Sequence, residues 1–469
     1  MRTSAYIGLI MTFLLIGCTR ENFLEFEPKG QVIPTKIEDF RALMDQVEPD
    51  PNVNFTQGVG GHHDFNILAS DNYLLSEEVV TSFGISPEQI NVYLFRDQIT
   101  TENGEDNTWI RYYNLIYVSN VVLQGLDQIT DGSPEEIAEL RADALIQRAF
   151  AYFNLVNIYS VHYDPATAST DLGVPIREGI QLEGLDLSRA SVEAVYDLIL
   201  SDIRGNIAAL PDTQPPNLSF RPSKAGAYAF LARVLLYQGK FEEALEAVNN
   251  GLAINNSLRD LNQDQADPRD PGVLVFPLAV EDPQLLWFKD SGGFTVVADP
   301  EFYALYEETD LRKRWFADAR TYFFAEIDDP VLVAHRTNDN PNVSFTTADL
   351  YLMRAECNAR LGNIQEANEA LNALREKRFE TGTYVPLQLT DQAELLAFVK
   401  DEIRREKAMG TLRTFDIKRY NRFDQEKITV TRSFRGETVT MAPNSLNWAF
   451  PIAQNYINAN PEIEQNPRD

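Results

Sequence analysis

Histidines are the first residues to examine for chemistry, because imidazole both binds metals and transfers protons near neutral pH. The chain has four of them: His62, His63, His162 and His335. His62 and His63 are followed by Asp64, and the three side chains could bind a metal. However, adjacent residues in a glycine-rich loop lack the spaced third ligand that a zinc site requires. We therefore expect no metal site and interpret this stretch as a solvated loop.

A second stretch begins like a calcium-binding loop and then departs from that pattern. Asp260, Asn262 and Asp264 have the right spacing, but Gln265 stands where the loop needs glycine and Pro271 where it needs glutamate. Among 70 acidic residues, carboxylate pairs arise by chance, and none lies beside the aromatic residues expected of a glycosidase. The sequence also contains no nucleophile elbow, phosphate loop or dinucleotide fingerprint. We therefore expect neither an enzyme nor a cofactor.

Aromatic residues are stronger candidates for ligand contacts. A sugar ring has a polar rim and apolar C–H faces, so saccharide sites stack an aromatic ring on the face and place Asn, Asp or Arg at the rim. Two irregular regions of the chain carry such rings. The candidates are Tyr73, Tyr93 and Phe95 in the first region, and Trp287 and Trp315 in or beside the second. Packing in the core is the alternative for each, since large aromatic side chains are mostly buried in any protein.

Helical hairpins separate the two irregular regions. From Ser223 to Leu252, apolar residues recur every three or four positions on both sides of Gly239, which predicts two helices joined by a tight turn. The same spacing, typical of a tetratricopeptide unit, returns around Gly362. We expect helical hairpins at about residues 109–160, 191–253 and 347–410, and irregular ligand-side regions at about 48–106 and 255–341.

Composition restricts the class of partner. The chain of 469 residues is long enough for a large core, and its 41 basic and 70 acidic residues give a net charge of −29. This charge opposes binding to nucleic acid and to anionic lipid. It favours a neutral ligand, a cation or a protein partner.

The N-terminus predicts export and a lipid anchor. An apolar run behind Arg2 ends at Ile16; it is too short to span a bilayer but suits the apolar region of an export signal. The string Leu-Ile-Gly-Cys that ends at Cys18 resembles a bacterial lipobox, although an ordinary signal with a chance cysteine is the alternative. We interpret residues 1–17 as the signal peptide, 18–34 as the anchor and tether with Cys18 lipidated, and 35–469 as a single domain. Cys357 then has no disulfide partner, and we expect its thiol to be buried.

The chain resembles the SusD/RagB family of outer-membrane nutrient-uptake lipoproteins of Bacteroidetes over nearly its whole length. The resemblance rests on six stretches that occur in the family's order. They are the lipobox with residues 23–30 behind it; residues 148–155; residues 191–211; residues 232–239; the run of Arg413, Phe415, Asp416, Ile417 and Arg419; and the ending Phe450-Pro451-Ile452 with Asn460-Pro461 and Gln465-Asn466-Pro467.

The resemblance implies a mainly α, SusD-like fold of about eight helices in four tetratricopeptide-like pairs, with a loop-rich ligand-binding part and minor β structure. Arg413, Asp416 and Arg419 would be ion-pair partners. The function implied is that of a lipoprotein at the surface of the outer membrane. It would bind an extracellular oligosaccharide and deliver it to a SusC-like TonB-dependent transporter, without catalysis. The alternatives are a peptide ligand in the same family, or a tetratricopeptide interaction scaffold that binds no small ligand.

Overall fold

The computed structural model describes residues 34–45, 68–275, 277, 281–289, 296–333, 344–408, 410 and 412–469. The signal peptide, Cys18 and the three histidines His62, His63 and His335 lie outside these residues. The expectations stated for them therefore stay predictions.

Helices dominate the secondary structure, which confirms the mainly α prediction. Within the described residues nine helices are longer than ten residues, against the eight that were expected. None of the helices in this part of the chain is long and apolar enough to cross a membrane. In chain order the helices are α1 Ile37–Met44, α2 Glu77–Phe83, α3 Pro87–Tyr93, α4 Asn107–Leu126, α5 Pro134–Tyr159, α6 Val192–Arg204, α7 Lys224–Tyr237, α8 Phe241–Ile254, α9 Pro300–Tyr303, α10 Ala319–Tyr322, α11 Thr347–Leu361, α12 Ile364–Arg375, α13 Gln392–Glu406, α14 Arg413–Phe423 and α15 Gln454–Ala459.

Three helical hairpins form the scaffold. α4 packs against α5, α7 against α8, and α11 against α12, while contacts between α8 and α11 join the second hairpin to the third. The first hairpin lies where the sequence predicts it. The predicted hairpin over residues 191–253 divides, because α6 ends at Arg204 and packs on α5, and the tight pair is α7 with α8. The predicted hairpin over residues 347–410 contains the α11–α12 pair, followed by α13 packed on α11.

Glycines and capping residues set the ends of these helices. Gly239 follows α7 with φ of 74° and Gly362 follows α11 with φ of 81°, left-handed conformations that strain any residue with a Cβ. At the start of α5, the Ser133 hydroxyl accepts a hydrogen bond from the Glu136 N–H, and the Glu136 carboxylate accepts one from the Ser133 N–H. Pro134 suits the first helical position because the N–H it lacks would have no partner there.

Short strands form small antiparallel sheets, which agrees with the minor β structure expected. The strands are β1 Tyr73–Leu74, β2 Ala266–Asp267, β3 Asp270–Leu274, β4 Leu285–Trp287, β5 Val296–Ala298, β6 Phe316–Ala317, β7 Val331–Leu332, β8 Phe345–Thr346, β9 Val430–Phe434 and β10 Glu437–Met441. The largest sheet among the described residues has the strand order β1-β5-β7-β6. The pairs β2–β3, β4–β8 and β9–β10 form two-stranded sheets.

Two hydrophobic clusters connect these elements. The larger extends from Leu68 to Ile463, includes residues of all three hairpins, and contains Cys357, which is fully buried as expected. The smaller joins α2, α3, the four-stranded sheet and the β9–β10 hairpin, from Leu75 to Phe434. We call the region around this smaller cluster the loop-rich part: residues 68–106 and 266–333 with the β9–β10 hairpin.

Buried ion pairs hold distant segments together. Arg413 forms a bidentate pair with Asp71, at distances of 2.7 and 2.8 Å. Arg419 pairs with Glu356 of α11 and with Asp416 of its own helix. The prediction that Arg413, Asp416 and Arg419 are ion-pair partners is therefore confirmed.

Candidate functional site

Residues 319–329 form a surface segment of the loop-rich part, which we call the aromatic loop; Ala319, Ala325 and Ile327 are its buried residues. It leaves the sheet after β6 and returns to it at β7, and these two strands are antiparallel neighbours. The Asp318 side chain caps α10 by accepting a hydrogen bond from the Arg320 N–H. The Ala325 N–H donates to the Ala319 carbonyl at 3.2 Å, which closes the loop. The sheet and these bonds give the loop a defined shape at the surface.

Phe324 is the most exposed large apolar side chain in the described residues, with 90% of its surface in solvent. Its φ of 57° lies in the left-handed region, which is unusual for a bulky residue. A single exposed apolar side chain is common and needs no explanation. Exposure combined with a strained backbone is uncommon, and strain of this kind concentrates at functional sites.

Phe323 connects Phe324 to a patch of half-buried rings. It packs edge-on against Phe83, the last residue of α2, with 5.3 Å between ring centroids. It also packs against Tyr322, with 4.9 Å between centroids. The aromatic loop therefore rests on α2 as well as on the sheet.

Tyr322 attaches the aromatic loop to the β2–β3 hairpin. Its hydroxyl donates a hydrogen bond to the Asp267 carboxylate at 2.8 Å and accepts one from Arg269 at 2.9 Å. The Arg269 guanidinium also lies 4.7 Å above the Tyr322 ring, within the range of a cation–π interaction. These contacts immobilise the residue two positions before Phe324, so the exposed ring is presented by an ordered backbone.

Charged side chains occur in the same loop as Phe324. Arg320 pairs with Asp328, and its guanidinium also lies 3.8 Å from the Glu326 carboxylate. The Glu326 and Asp328 side chains are strongly exposed. Desolvation, together with the nearby Asp328 and Asp299 carboxylates, raises the pKa of Asp329. The loop thus offers hydrogen-bond donors and acceptors next to an apolar ring, with a surplus of negative charge.

This arrangement has the two components that sugar recognition needs. A ring can cover the C–H face of a pyranose, while carboxylates and a guanidinium at its edge exchange hydrogen bonds with the hydroxyl groups. A large aromatic side chain buries ~150–250 Å² when it is covered.

A pocket lies between residues 97–106 and residues 451–465, with a volume of about 440 Å³. Polar side chains in the wall of this pocket already form hydrogen bonds or ion pairs within the protein. The Gln465 amide donates to the Ile452 carbonyl and accepts from the Ile452 N–H, and Asp97 pairs with Arg468 at 3.2 Å. No aromatic ring contributes to the described lining of this cavity. We therefore place the candidate site at the aromatic loop.

The two tryptophans proposed from the sequence lie in the core. Trp287 is fully buried, its indole N–H donates to the Phe220 carbonyl at 3.0 Å, and its ring stacks on Phe345 with 5.3 Å between centroids. Trp315 is also buried and belongs to the same large cluster. This placement corrects the expectation of exposed stacking rings, because protein atoms already cover both side chains. Packing, the alternative left open by the sequence, is the role that the structure gives them.

Tyr73 and Tyr93 are buried as well. The Tyr73 hydroxyl donates to the Ala408 carbonyl, and burial raises the pKa of this tyrosine. The Arg432 guanidinium lies 4.5 Å above the Tyr93 ring, and desolvation raises the pKa of Tyr93. Neither ring offers a free face to a sugar, so the expectation of exposed rings is corrected for this pair too.

Phe95 is the one of the five candidates that keeps part of its surface in solvent. It lies 4.7 Å from the Arg432 guanidinium and 5.6 Å from the Trp448 ring, and its φ is 51°. A role for Phe95 in ligand binding stays a prediction.

The described residues contain no group of three His, Cys, Asp or Glu side chains arranged to hold a metal ion. His162 is buried, and desolvation lowers its pKa well below the usual value, so the ring is neutral at pH 7. It packs against Phe423 with 5.5 Å between ring centroids. The site considered at His62 and His63 lies outside the described residues.

Sequence reasoning missed the aromatic loop, although the sequence carries a signal for it. Three consecutive aromatic residues, Tyr322, Phe323 and Phe324, stand between acidic residues in an irregular region. Successive side chains point in different directions from the backbone, so three adjacent rings cannot all enter one core. At least one ring of such a run is expected to face solvent.

In this fold, helical hairpins support a loop-rich part that carries the exposed ring. Residues 22–236 match a family model described as starch-binding and associating with the outer membrane, and residues 299–468 match the model of the SusD family. A SusD-like protein of Formosa agariphila is 24% identical over 465 residues, which cover 85% of each chain. This chain belongs to the SusD/RagB family.

Solved structures agree with this fold. A SusD superfamily protein from Bacteroides thetaiotaomicron has a TM-score of 0.71 at 18% identity, over 92% of this chain and all of that chain. The surface glycan-binding protein A from Bacteroides uniformis has a TM-score of 0.66 at 18% identity, over 92% of this chain and 98% of that chain. The SusD family is one of glycan-binding proteins associated with the surface of the outer membrane.

Proposed function

We propose that the protein binds an extracellular oligosaccharide on the aromatic loop and delivers it to a SusC-like TonB-dependent transporter. The observation that carries the proposal is the exposed, backbone-strained ring of Phe324 in the same short loop as the polar groups of Arg320, Glu326 and Asp328. Membership of a glycan-binding family supports the ligand class. The protein binds its ligand and does not alter it.

The proposal includes a lipid anchor at Cys18 that holds the chain on the outer membrane. Anchoring beside a transporter raises the effective concentration of the ligand, so a dissociation constant in the micromolar to millimolar range, ~4–8 kcal/mol, suffices for delivery. Co-purification of a TonB-dependent barrel with the anchored chain in mild detergent tests this part. A chain that elutes without such a barrel counts against delivery.

A peptide is the second candidate ligand. The carboxylates of Glu326 and Asp328 beside an aromatic ring would also suit a cationic peptide, which stacks and pairs with the same groups. An interaction scaffold that binds no small ligand would leave the exposed Phe324 without a role. A peptide pool therefore belongs in the same experiment as the oligosaccharides.

The experiment is calorimetric titration of the soluble chain from Thr19 onward with plant, algal, host and fungal oligosaccharides and with a peptide pool. We expect binding to one glycan class and no cleavage of the ligand. Phe324→Ala should weaken that binding about tenfold to a hundredfold, because covering an aromatic side chain contributes ~1.5–3 kcal/mol. The free energy of unfolding should change by less than about 0.5 kcal/mol, because the ring contributes little to the core.

Leu182→Ala is the matched control, since Leu182 is another strongly exposed apolar side chain, in a loop outside the aromatic loop. It should leave ligand affinity unchanged. Equal affinity of the Phe324→Ala variant and the parent chain would remove the aromatic loop from the binding site. Binding of peptides alone would replace the glycan proposal by the second candidate.

A further inference from the structure

We infer that the glycan bound by the aromatic loop carries no acidic groups, so that uronic acids and sulfated sugars are excluded from this site. The inference rests on the proposed function and names the chemical class of its ligand. It follows from the charges on the described surface around Phe324.

The guanidinium groups near the loop are already engaged by carboxylates. Arg320 pairs with Asp328 and lies close to Glu326. Arg269, which stacks on Tyr322, lies 3.5 Å from the Asp267 carboxylate. An acidic ligand would have to compete with these carboxylates for either guanidinium.

A third guanidinium, in the turn between β9 and β10, is paired in the same way with a carboxylate at the start of α2. Arg435 forms a bidentate pair with Glu77, with hydrogen bonds of 2.5 and 3.0 Å. Fork-shaped pairs of this kind use the donor geometry that would otherwise recognise a carboxylate or a sulfate. Thus the guanidinium groups of Arg269, Arg320 and Arg435 are all paired with carboxylates and offer no vacant anion site.

Carboxylates outnumber cations in the loop itself. Residues 319–329 contain three acidic residues, Glu326, Asp328 and Asp329, and one basic residue, Arg320, which gives a net charge of −2. The raised pKa of Asp329, to which neighbouring carboxylates contribute, is consistent with this crowding. A ligand anion about 4 Å from one uncompensated carboxylate loses about fivefold in affinity even in a water-like dielectric.

The rest of the molecule supplies no positive net charge to offset the negative charge of the aromatic loop. The whole chain carries −29, so the long-range field also opposes the approach of a polyanion. Uncharged sugars are affected differently, because their hydroxyl groups donate hydrogen bonds and carboxylates are strong acceptors. The same groups that repel an acidic glycan therefore help to bind a neutral one.

The test is a titration with paired probes. Neutral xylo-oligosaccharides are compared with glucuronic-acid-substituted xylo-oligosaccharides, and galacto-oligosaccharides with carrageenan oligosaccharides. Malto- and cello-oligosaccharides serve as further neutral probes, and oligogalacturonate as a further acidic probe. We expect at least one neutral probe to bind, with an affinity that changes less than about twofold between low and high salt, because no ion pair forms. Acidic probes should bind at least about tenfold more weakly than the neutral probe that binds best.

A double variant tests the electrostatic cause. Glu326→Gln with Asp328→Asn keeps the shape of both side chains and releases Arg320 from its carboxylates. This variant should gain affinity for acidic probes at low salt and lose that gain at high salt. The control is Glu242→Gln with Glu246→Gln, which removes two exposed carboxylates from α8. It should change neither the affinity for acidic probes nor the affinity for neutral probes.

Different results would overturn the charge specificity and the proposed function. If the parent chain binds an acidic probe as tightly as any neutral one, and Phe324→Ala abolishes that binding, the inference is overturned while the proposed function stands. If the double variant gains no affinity for acidic probes, the charge argument is overturned. If no glycan in either set binds, the proposed function is overturned and the inference with it.

Discussion

Two aromatic residues of the loop-rich part show how burial decides the role of a side chain. Trp287 is enclosed, with its N–H bonded to the Phe220 carbonyl, whereas Phe324 is open to solvent. We expect Trp287→Ala to lower the free energy of unfolding by about 3–5 kcal/mol, because it leaves a cavity in the core and an unpaired carbonyl. Urea denaturation followed by fluorescence or circular dichroism measures this change.

Phe324→Ala is the comparison for Trp287→Ala, because it removes a ring of similar size from the surface. If Trp287→Ala unfolds at the same urea concentration as the parent chain and loses ligand binding, Trp287 is a binding residue, as the sequence first suggested. A large loss of stability instead assigns it to the core.

At the scale of elements, two left-handed glycines close the α7–α8 and α11–α12 hairpins. Gly362→Ala should lower the free energy of unfolding by about 1–2 kcal/mol, because alanine is strained at this positive φ. The new Cβ itself causes no clash, since its nearest neighbour would lie 3.9 Å away. Gly239→Ala should cost more, because its Cβ would also come within 3.1 Å of the Phe423 ring. Thermal unfolding ranks the two variants.

Gly205→Ala is the control for these glycines, because Gly205 has a right-handed conformation and no atom nearer than 3.8 Å to its Cβ. It should leave stability unchanged or raise it by up to about 1 kcal/mol, because alanine reduces the conformational entropy of the unfolded chain. If all three variants lose stability equally, backbone conformation is not the cause.

The elements were predictable from the sequence to the extent that local signals determine them. Apolar periodicity and the turn glycines identified the hairpins, because a helix repeats every 3.6 residues whatever it packs against. The end of α6 was not predictable in this way: periodicity continues through Ile207, yet residues 207–209 form a separate 3-10 turn. The site was less predictable still. The Phe220 carbonyl, which accepts the hydrogen bond of the buried Trp287 indole, lies 67 residues away in the chain. No local sequence pattern distinguishes this ring from an exposed one.

At the scale of the whole molecule, buried ion pairs join segments that are far apart in the chain. Glu356 of α11 is enclosed between two arginines. Arg360 lies one turn further along the same helix, and Arg419 lies on α14. Burial alone would raise its pKa, but the two guanidinium groups outweigh burial and lower the pKa of Glu356 from 4.5 to about 2. Between these two pH values the unfolded chain binds more protons than the folded chain, so the free energy of unfolding falls as the pH falls. The contribution is complete above about pH 4.5 and is lost as the pH approaches 2.

Glu356→Gln should therefore destabilise the protein in a pH-dependent manner. At pH 7 we expect a loss of about 3–5 kcal/mol, because the two guanidinium groups stay buried without their shared carboxylate. The difference from the parent chain should shrink below about pH 4.5, where Glu356 itself begins to take up a proton in the unfolded chain. Urea denaturation at a series of pH values measures both chains, with Glu246→Gln as an exposed control on α8 that should show no such trend. A difference between Glu356→Gln and the parent chain that stays constant from pH 7 to pH 3 would show that the loss comes from packing rather than from the ion pairs.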